Sequence, residues 1–233
     1  MPQQGPLHWL DGEGWLVLAG GGDWRRGDTD PIDAQVLSLA NLDRPMVILL
    51  SEGSRSTADD LLEHFTVLGG PGGEAFSLAE MTREQLQTER FTTLLQEAGI
   101  LYLGGENPLP LVNNLYNTEA LRFIVEGYST LQGLMLVGMG AGAAALSRWV
   151  FTPQPPYQQA MGLGFLINAV VVPHFTGTEN SPILRALPQI GDNLLGLGIP
   201  DGAALTLGPQ GQVETWGEGQ VTAVVAAADD TDV

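Results

Sequence analysis

Short apolar runs separated by glycine-rich or polar turns recur along the first 150 residues. Trp15–Ala19 (WLVLA) meets Gly20-Gly21-Gly22, and Pro45–Leu50 (PMVILL) meets a polar loop at Ser51–Thr57. Ile100–Leu103 (ILYL) meets Gly104-Gly105, and Leu134–Val137 (LMLV) meets Gly138-Met139-Gly140-Ala141-Gly142. Runs this short, without polar alternation, predict strands buried on both faces. Helical spacing between them predicts helices over Asp30–Leu42, Ala58–Leu68, Leu109–Tyr128 and Ala141–Arg148, with one or two more over Thr82–Ala98. Thr57 or Ser56 is the expected cap before Ala58, and Thr82 with Gln85 three residues on has the form of a capping box.

The second half reads differently. Val170–Val172 is an expected strand leading into Pro173-His174-Phe175, and Ser181–Leu187 is an expected helix. Leu195–Ile199, Ala203–Leu207, Gln212–Thr215 and Thr222–Ala226 form a run of short expected strands. Gly69–Gly73 reads as a turn, Thr152–Tyr157 as a proline-rich loop, residues 1–13 as a loose lead-in and Asp229–Val233 as an acidic tail. Strand–helix alternation predicts a single α/β domain over residues 1–233, a three-layer sandwich with a mostly parallel central sheet. In such sheets ligands sit beyond the C-terminal strand ends, the edge on which the glycine turns at 20–22, 104–105 and 138–142 fall.

Composition narrows the chemistry. The 233 residues contain no cysteine, which excludes disulfides, thiolate metal sites and a cysteine nucleophile. All nine basic residues are arginine, so no P-loop or Schiff-base lysine is available. Against them stand 27 acidic residues, and the formal net charge of −18 argues against nucleic acid and anionic membranes as partners. No run of 18 apolar residues and no basic-then-apolar leader is present, so a cytoplasmic protein is expected. Three scattered histidines, His8, His64 and His174, give no metal-spacing motif; neither a metal nor another cofactor is expected. His8 and His64 read as surface residues.

Leu134–Leu146 has the layout of a nucleophile elbow, in which a strand turns sharply into a helix and presents one side chain at the tip. The tip here is Gly140, which has no side chain. The chain thus carries the frame of a serine hydrolase site without its serine. The turn glycines 20–22 could cradle a phosphate, but no G-x-G-x-x-G opens a helix there, and a plain turn is the better reading.

Five fragments in order resemble the cyanophycinase and aspartyl dipeptidase (dipeptidase E) family of serine peptidases. They are G-x-L-x-L-x-G-G-G at Gly14–Gly22, L-x-x-x-G-I-x-Y-L-G-G at Leu95–Gly105, G-x-x-A-G-A at Gly138–Ala143, G-L-G-F-L then H-F within Gly162–Phe175, and G-I-P-D-G-A-A at Gly198–Ala204. The resemblance implies a class I glutamine amidotransferase-like fold and a homodimer. It places the missing nucleophile at Gly140, the general base at His174 and its orienting acid at Asp201, where the family usually has Glu. It assigns the oxyanion hole to the backbone N–H groups of Ala141 and Gly105, and the substrate-side edge to Glu106 and Asn107. The flank departs from the family as well. The family's D-Q before H-F is Val172-Pro173, and the arginines that follow H-F there are replaced by Thr176-Gly177-Thr178, with Arg185 the first downstream.

Three functions follow as rivals. One is a catalytically inactive homologue that binds a small peptide or amino acid derivative. Another is a hydrolase using water activated by His174 and Asp201, or a relocated nucleophile within Ser51–Ser56. The last is an assembly role as a homodimer. An open pocket at Gly140 favours binding, and one filled by Met139 or Phe175 favours assembly.

Overall fold

A computed structural model gives the fold and describes residues 5–151, 159–184, 187 and 194–225. Arg185 and the segments 152–157 and 229–233 lie outside the described residues. Of the helix expected over Ser181–Leu187, residues 182–184 and 187 are helical.

The central sheet has seven strands. In chain order they are β1 (Trp15–Ala19), β2 (Met46–Leu50), β3 (Gly73–Ser77), β4 (Ile100–Gly104), β5 (Met135–Met139), β10 (Ala203–Leu207) and β11 (Val213–Gly217). Their order across the sheet is β11-β10-β1-β5-β4-β2-β3. The five strands from β1 to β3 run parallel, and β10 and β11 continue the sheet antiparallel.

Side chains of β1 alternate between two cores. Leu16 and Leu18 join α3 (Glu89–Glu97), α4 (Pro108–Leu115), α5 (Glu119–Thr130) and α6 (Ala141–Leu146) on one face. Val17 and Ala19 join α1 (Asp30–Leu39) and α2 (Arg55–Val67) on the other. Burial on both faces explains why the strands read as unbroken apolar runs. The expected α/β architecture with a largely parallel sheet is the observed one.

Two smaller sheets flank it. One pairs β8 (Ala169–Val172) parallel to β9 (Leu195–Gly198), with β12 (Thr222–Val225) antiparallel on the far side of β9. The other is a hairpin of β6 (Trp149–Phe151) and β7 (Gln159–Met161). Ala169, Val171, Leu195 and Leu197 share the apolar cluster of the central sheet.

Several boundaries differ from the sequence expectation. The cap of α2 is Ser54, whose hydroxyl accepts from the Thr57 N–H at 3.2 Å, so the helix starts three residues before Ala58. The helix expected over Leu109–Tyr128 is broken at Tyr116–Thr118, where Asn117 is left-handed at φ 55° and Thr118 recaps the chain for α5. The Thr82–Gln85 box forms reciprocally, at 2.7 and 3.3 Å, but serves a single 3-10 turn, and α3 begins afresh at Glu89. Strands β3, β6 and β7 were not expected.

His64 is not a surface residue. Its side chain is 15% exposed and faces Asp33, which is 1% exposed. Burial raises the Asp33 carboxyl above the ordinary aspartate range, and hydrogen bonds from Thr29 and His64 offset part of that rise.

Candidate active site

The site is built on the C-terminal ends of the parallel strands. Register aligns Ala19 of β1 with Met139 of β5 and with Ala204 of β10, so the turns after β1 and β5 emerge side by side. Gly140 follows β5 at φ 56°, ψ −114°, its N–H donating to the Ala19 carbonyl at 3.0 Å. Side chains rarely adopt that conformation, and α6 begins at the next residue. The strand–turn–helix elbow read from the sequence is present.

His174 follows β8 and Asp201 lies just beyond β9. Their Nδ1 and Oδ1 atoms are 2.6 Å apart. A carboxylate only accepts, so Nδ1 carries the proton, and in the neutral ring Nε2 is left as the acceptor. That acceptor is turned toward the elbow: a Cβ built on Gly140 would lie 3.4 Å from His174 Nε2. A hydroxyl there would be within reach of a correctly oriented base, the geometry a serine triad requires. The shorter Asp therefore reaches the histidine. His174 itself is left-handed at φ 52°, held by its N–H to the Gly20 carbonyl at 3.0 Å. Strained non-glycine backbone of this kind clusters at functional sites.

The triple glycine after β1 is more than a plain turn. A Cβ on Gly21 would sit 2.3 Å from His174 Cε1 and 2.6 Å from Asp201 Oδ1. The dyad rests directly on the Gly21 backbone, whose carbonyl also accepts from the Gly202 N–H at 2.9 Å. Sequence reasoning missed this role, because the contact joins residues more than 150 positions apart.

Two expected positions are placed differently. The Ala141 N–H, expected as an oxyanion donor, instead donates to the Gly105 carbonyl at 3.3 Å. Of the two expected donors, the Ala141 N–H is therefore already occupied in this conformation. Asn107, expected at the substrate edge, caps α4: its side-chain oxygen accepts from the Leu109 N–H at 3.0 Å.

Gly140, His174, Asp201 and Glu106 line an open cleft of about 630 Å³. Met139 borders the cleft without filling it, and Phe175 lines an adjoining cavity that shares Glu106 and His174 with the cleft. Asp23, Asp28 and Glu52 add to the acidic lining. Arg25 also reaches it, but its guanidinium stacks on Trp24 at 4.2 Å and pairs with Asp60 at 3.5 Å. The His174 and Asp201 side chains are 58% and 59% exposed, so solvent and ligand reach the dyad. Within Ser51–Ser56, Ser51 is buried with no partner for its hydroxyl, and Ser54 is occupied as the α2 cap.

The profile of peptidase family S51 matches residues 16–213, most of the chain. The chain belongs to peptidase family S51. Its fold is shared with solved peptidases. A peptidase from an acI-B1 Actinobacterium superposes with TM-score 0.64 at 22% identity, over 93% of this chain and 96% of that one. A protein of Listeria monocytogenes EGD-e described as peptidase E superposes with TM-score 0.61 at 18% identity, over 88% and 98%. No curated protein sequence matches the chain. Among the described residues, no helix is long and apolar enough to cross a membrane.

Proposed function

We propose that this S51 protein has lost serine-type acyl transfer and binds a small peptide or amino acid derivative bearing a positive charge. The observation that carries the reading is Gly140: the position facing His174 Nε2 has no side chain, while the dyad around it is intact. Without an attacking atom at the elbow, no acyl-enzyme forms there. The closed Ala141–Gly105 contact supports the same reading, since nothing at the elbow now requires an oxyanion donor.

Charge supports the ligand class. Five carboxylates line the cleft, those of Asp23, Asp28, Glu52, Glu106 and Asp201, and the lining arginine is already paired. An acidic substrate would meet like charge, and a cationic group would meet its complement. A second reading is favoured by the short His174–Asp201 contact: the dyad would activate a water directly and hydrolyse the bound peptide slowly.

Dipeptides containing arginine or lysine, and others containing aspartate, separate the readings. Calorimetric titration should show the cationic set binding at least about tenfold tighter, roughly 1.4 kcal/mol. NMR of the same mixtures should show no cleavage. Equal affinity for acidic dipeptides would overturn the ligand class. Cleavage that disappears in His174→Gln would establish the water-based hydrolase instead.

A further inference from the structure

A second cluster of polar groups lies between α1 and α2, apart from the dyad. Asp30 and Asp33 stand in the first turn of α1, and His64 stands in the last turns of α2. Asp33 Oδ2 accepts from the Thr29 hydroxyl at 2.7 Å and faces His64 Nε2 at 3.2 Å. The same Nε2 is 3.8 Å from Asp30 Oδ1. The Asp33 side chain is 1% exposed, yet its Oδ1 has no hydrogen-bond partner. One ligand atom from each of the three residues lies within 4.8 Å of the others, and this is the one such group among the described residues.

We propose that Asp30, Asp33 and His64 bind one divalent transition-metal cation of the zinc type, clamped between α1 and α2. The distances fit. Tetrahedral ligands about 2.0–2.2 Å from a zinc ion stand roughly 3.3–3.6 Å from one another. The two separations from His64 Nε2, 3.2 and 3.8 Å, bracket that range, and the Asp30 and Asp33 ligand atoms lie within 4.8 Å of each other, so closure needs a swing of Asp30, whose side chain is half exposed. The surroundings fit as well. The Thr29 hydroxyl fixes the Asp33 carboxylate as an outer-shell partner would. Trp24 and Phe65, with ring centroids 5.4 and 5.7 Å from the imidazole, hold the His64 ring in place.

The unpartnered Asp33 Oδ1 is the feature that a simple His–Asp pair leaves unexplained. A buried carboxylate oxygen without a partner is costly, and a cation held by both oxygens of Asp33 satisfies it. One imidazole and two carboxylates suit zinc, cobalt or nickel; magnesium and calcium demand more oxygen ligands. Three protein ligands leave one position for water. The bound ion would tie together two helices, of which α2 places Leu61, beside Trp24 and Asp28, on the cleft wall. The site stabilises that wall; it is assigned no step in any reaction.

The test uses the full chain after chelator treatment and dialysis. Titration with Co²⁺ should give the intense visible absorption of a tetrahedral site, saturating at one ion per chain, and Zn²⁺ should displace it. Zinc at about 100 times its dissociation constant should raise Tm by about 5–10 °C. His64→Gln should abolish the cobalt spectrum. Asp30→Asn, a change at an exposed position that leaves folding intact, should weaken binding at least tenfold. His174→Gln should leave binding unchanged. Absence of the spectrum at millimolar Co²⁺ would overturn the proposal. So would binding that survives both His64→Gln and Asp30→Asn, or that is lost in His174→Gln, because the ion would then sit on surface acids or at the dyad.

Discussion

Adding a side chain at Gly140 should destabilise the fold before it restores any chemistry. At φ 56°, ψ −114° a non-glycine residue sits outside the ordinary allowed regions, at a cost of about 1–3 kcal/mol. Replacing glycine also stiffens the unfolded chain, which returns about 0.4–1 kcal/mol. Sterics add little, because the new Cβ would meet the Gly105 carbonyl and His174 Nε2 at 3.4 Å, near ordinary contact. The net expectation for Gly140→Ala is a loss of about 1–2 kcal/mol. In a chain of this size that lowers Tm by roughly 2–8 °C. Gly140→Ser bears the same strain, but its hydroxyl can donate to His174 Nε2, recovering about 0.5–1.5 kcal/mol. Serine should therefore be the more stable of the two variants, and the gap should close in a His174→Gln background. Urea denaturation of the unmodified chain, the two single variants and their His174→Gln counterparts measures all of this. An alanine variant as stable as the unmodified chain would refute the strain argument, and a gap that persists without His174 would refute the hydroxyl contact.

Other expectations follow from the same geometry. Gly21→Ala forces a Cβ into the dyad and should cost about 2 kcal/mol or more, with a displaced His174 imidazole signal in NMR as the local readout. Ser54→Ala removes the observed α2 cap and should cost about 0.5–2 kcal/mol in chemical denaturation, whereas Ser56→Ala should fall within roughly 0.5 kcal/mol of the unmodified chain. Glu106→Gln should weaken binding of cationic dipeptides severalfold, and raising ionic strength from low to physiological should weaken it further in calorimetry, since the cleft is open to solvent screening.

The central strands were legible because burial on both faces leaves an unbroken apolar signature, as in Met46–Leu50 and Ile100–Leu103. Strand β3 was not: it sits at the sheet edge, begins at Gly73 and carries Glu74, so no such signature exists. The break at Asn117 was hidden because no proline or glycine marks it; the turn depends on a left-handed asparagine and a recapping threonine. The elbow and the histidine–acid pair were legible from motif order, and the fold brings His174 and Asp201 into contact. The orientation of the Gly105 peptide was not legible, because residue type does not fix which way a glycine carbonyl turns. His64 was misread because its partner, Asp33, lies 31 residues away on another helix.

The proposed loss of acyl transfer rests on Gly140, in a site that keeps a paired histidine and aspartate. Intact-mass spectrometry after exposure to a small organophosphorus probe tests it directly. The unmodified chain should gain no adduct, and Gly140→Ser should gain one slowly, in step with reopening of the Ala141–Gly105 contact, with the adduct lost when His174→Gln is added. An adduct on the unmodified chain would reveal a nucleophile elsewhere and contradict the account; a folded Gly140→Ser protein that never reacts would show that the site lacks more than one side chain.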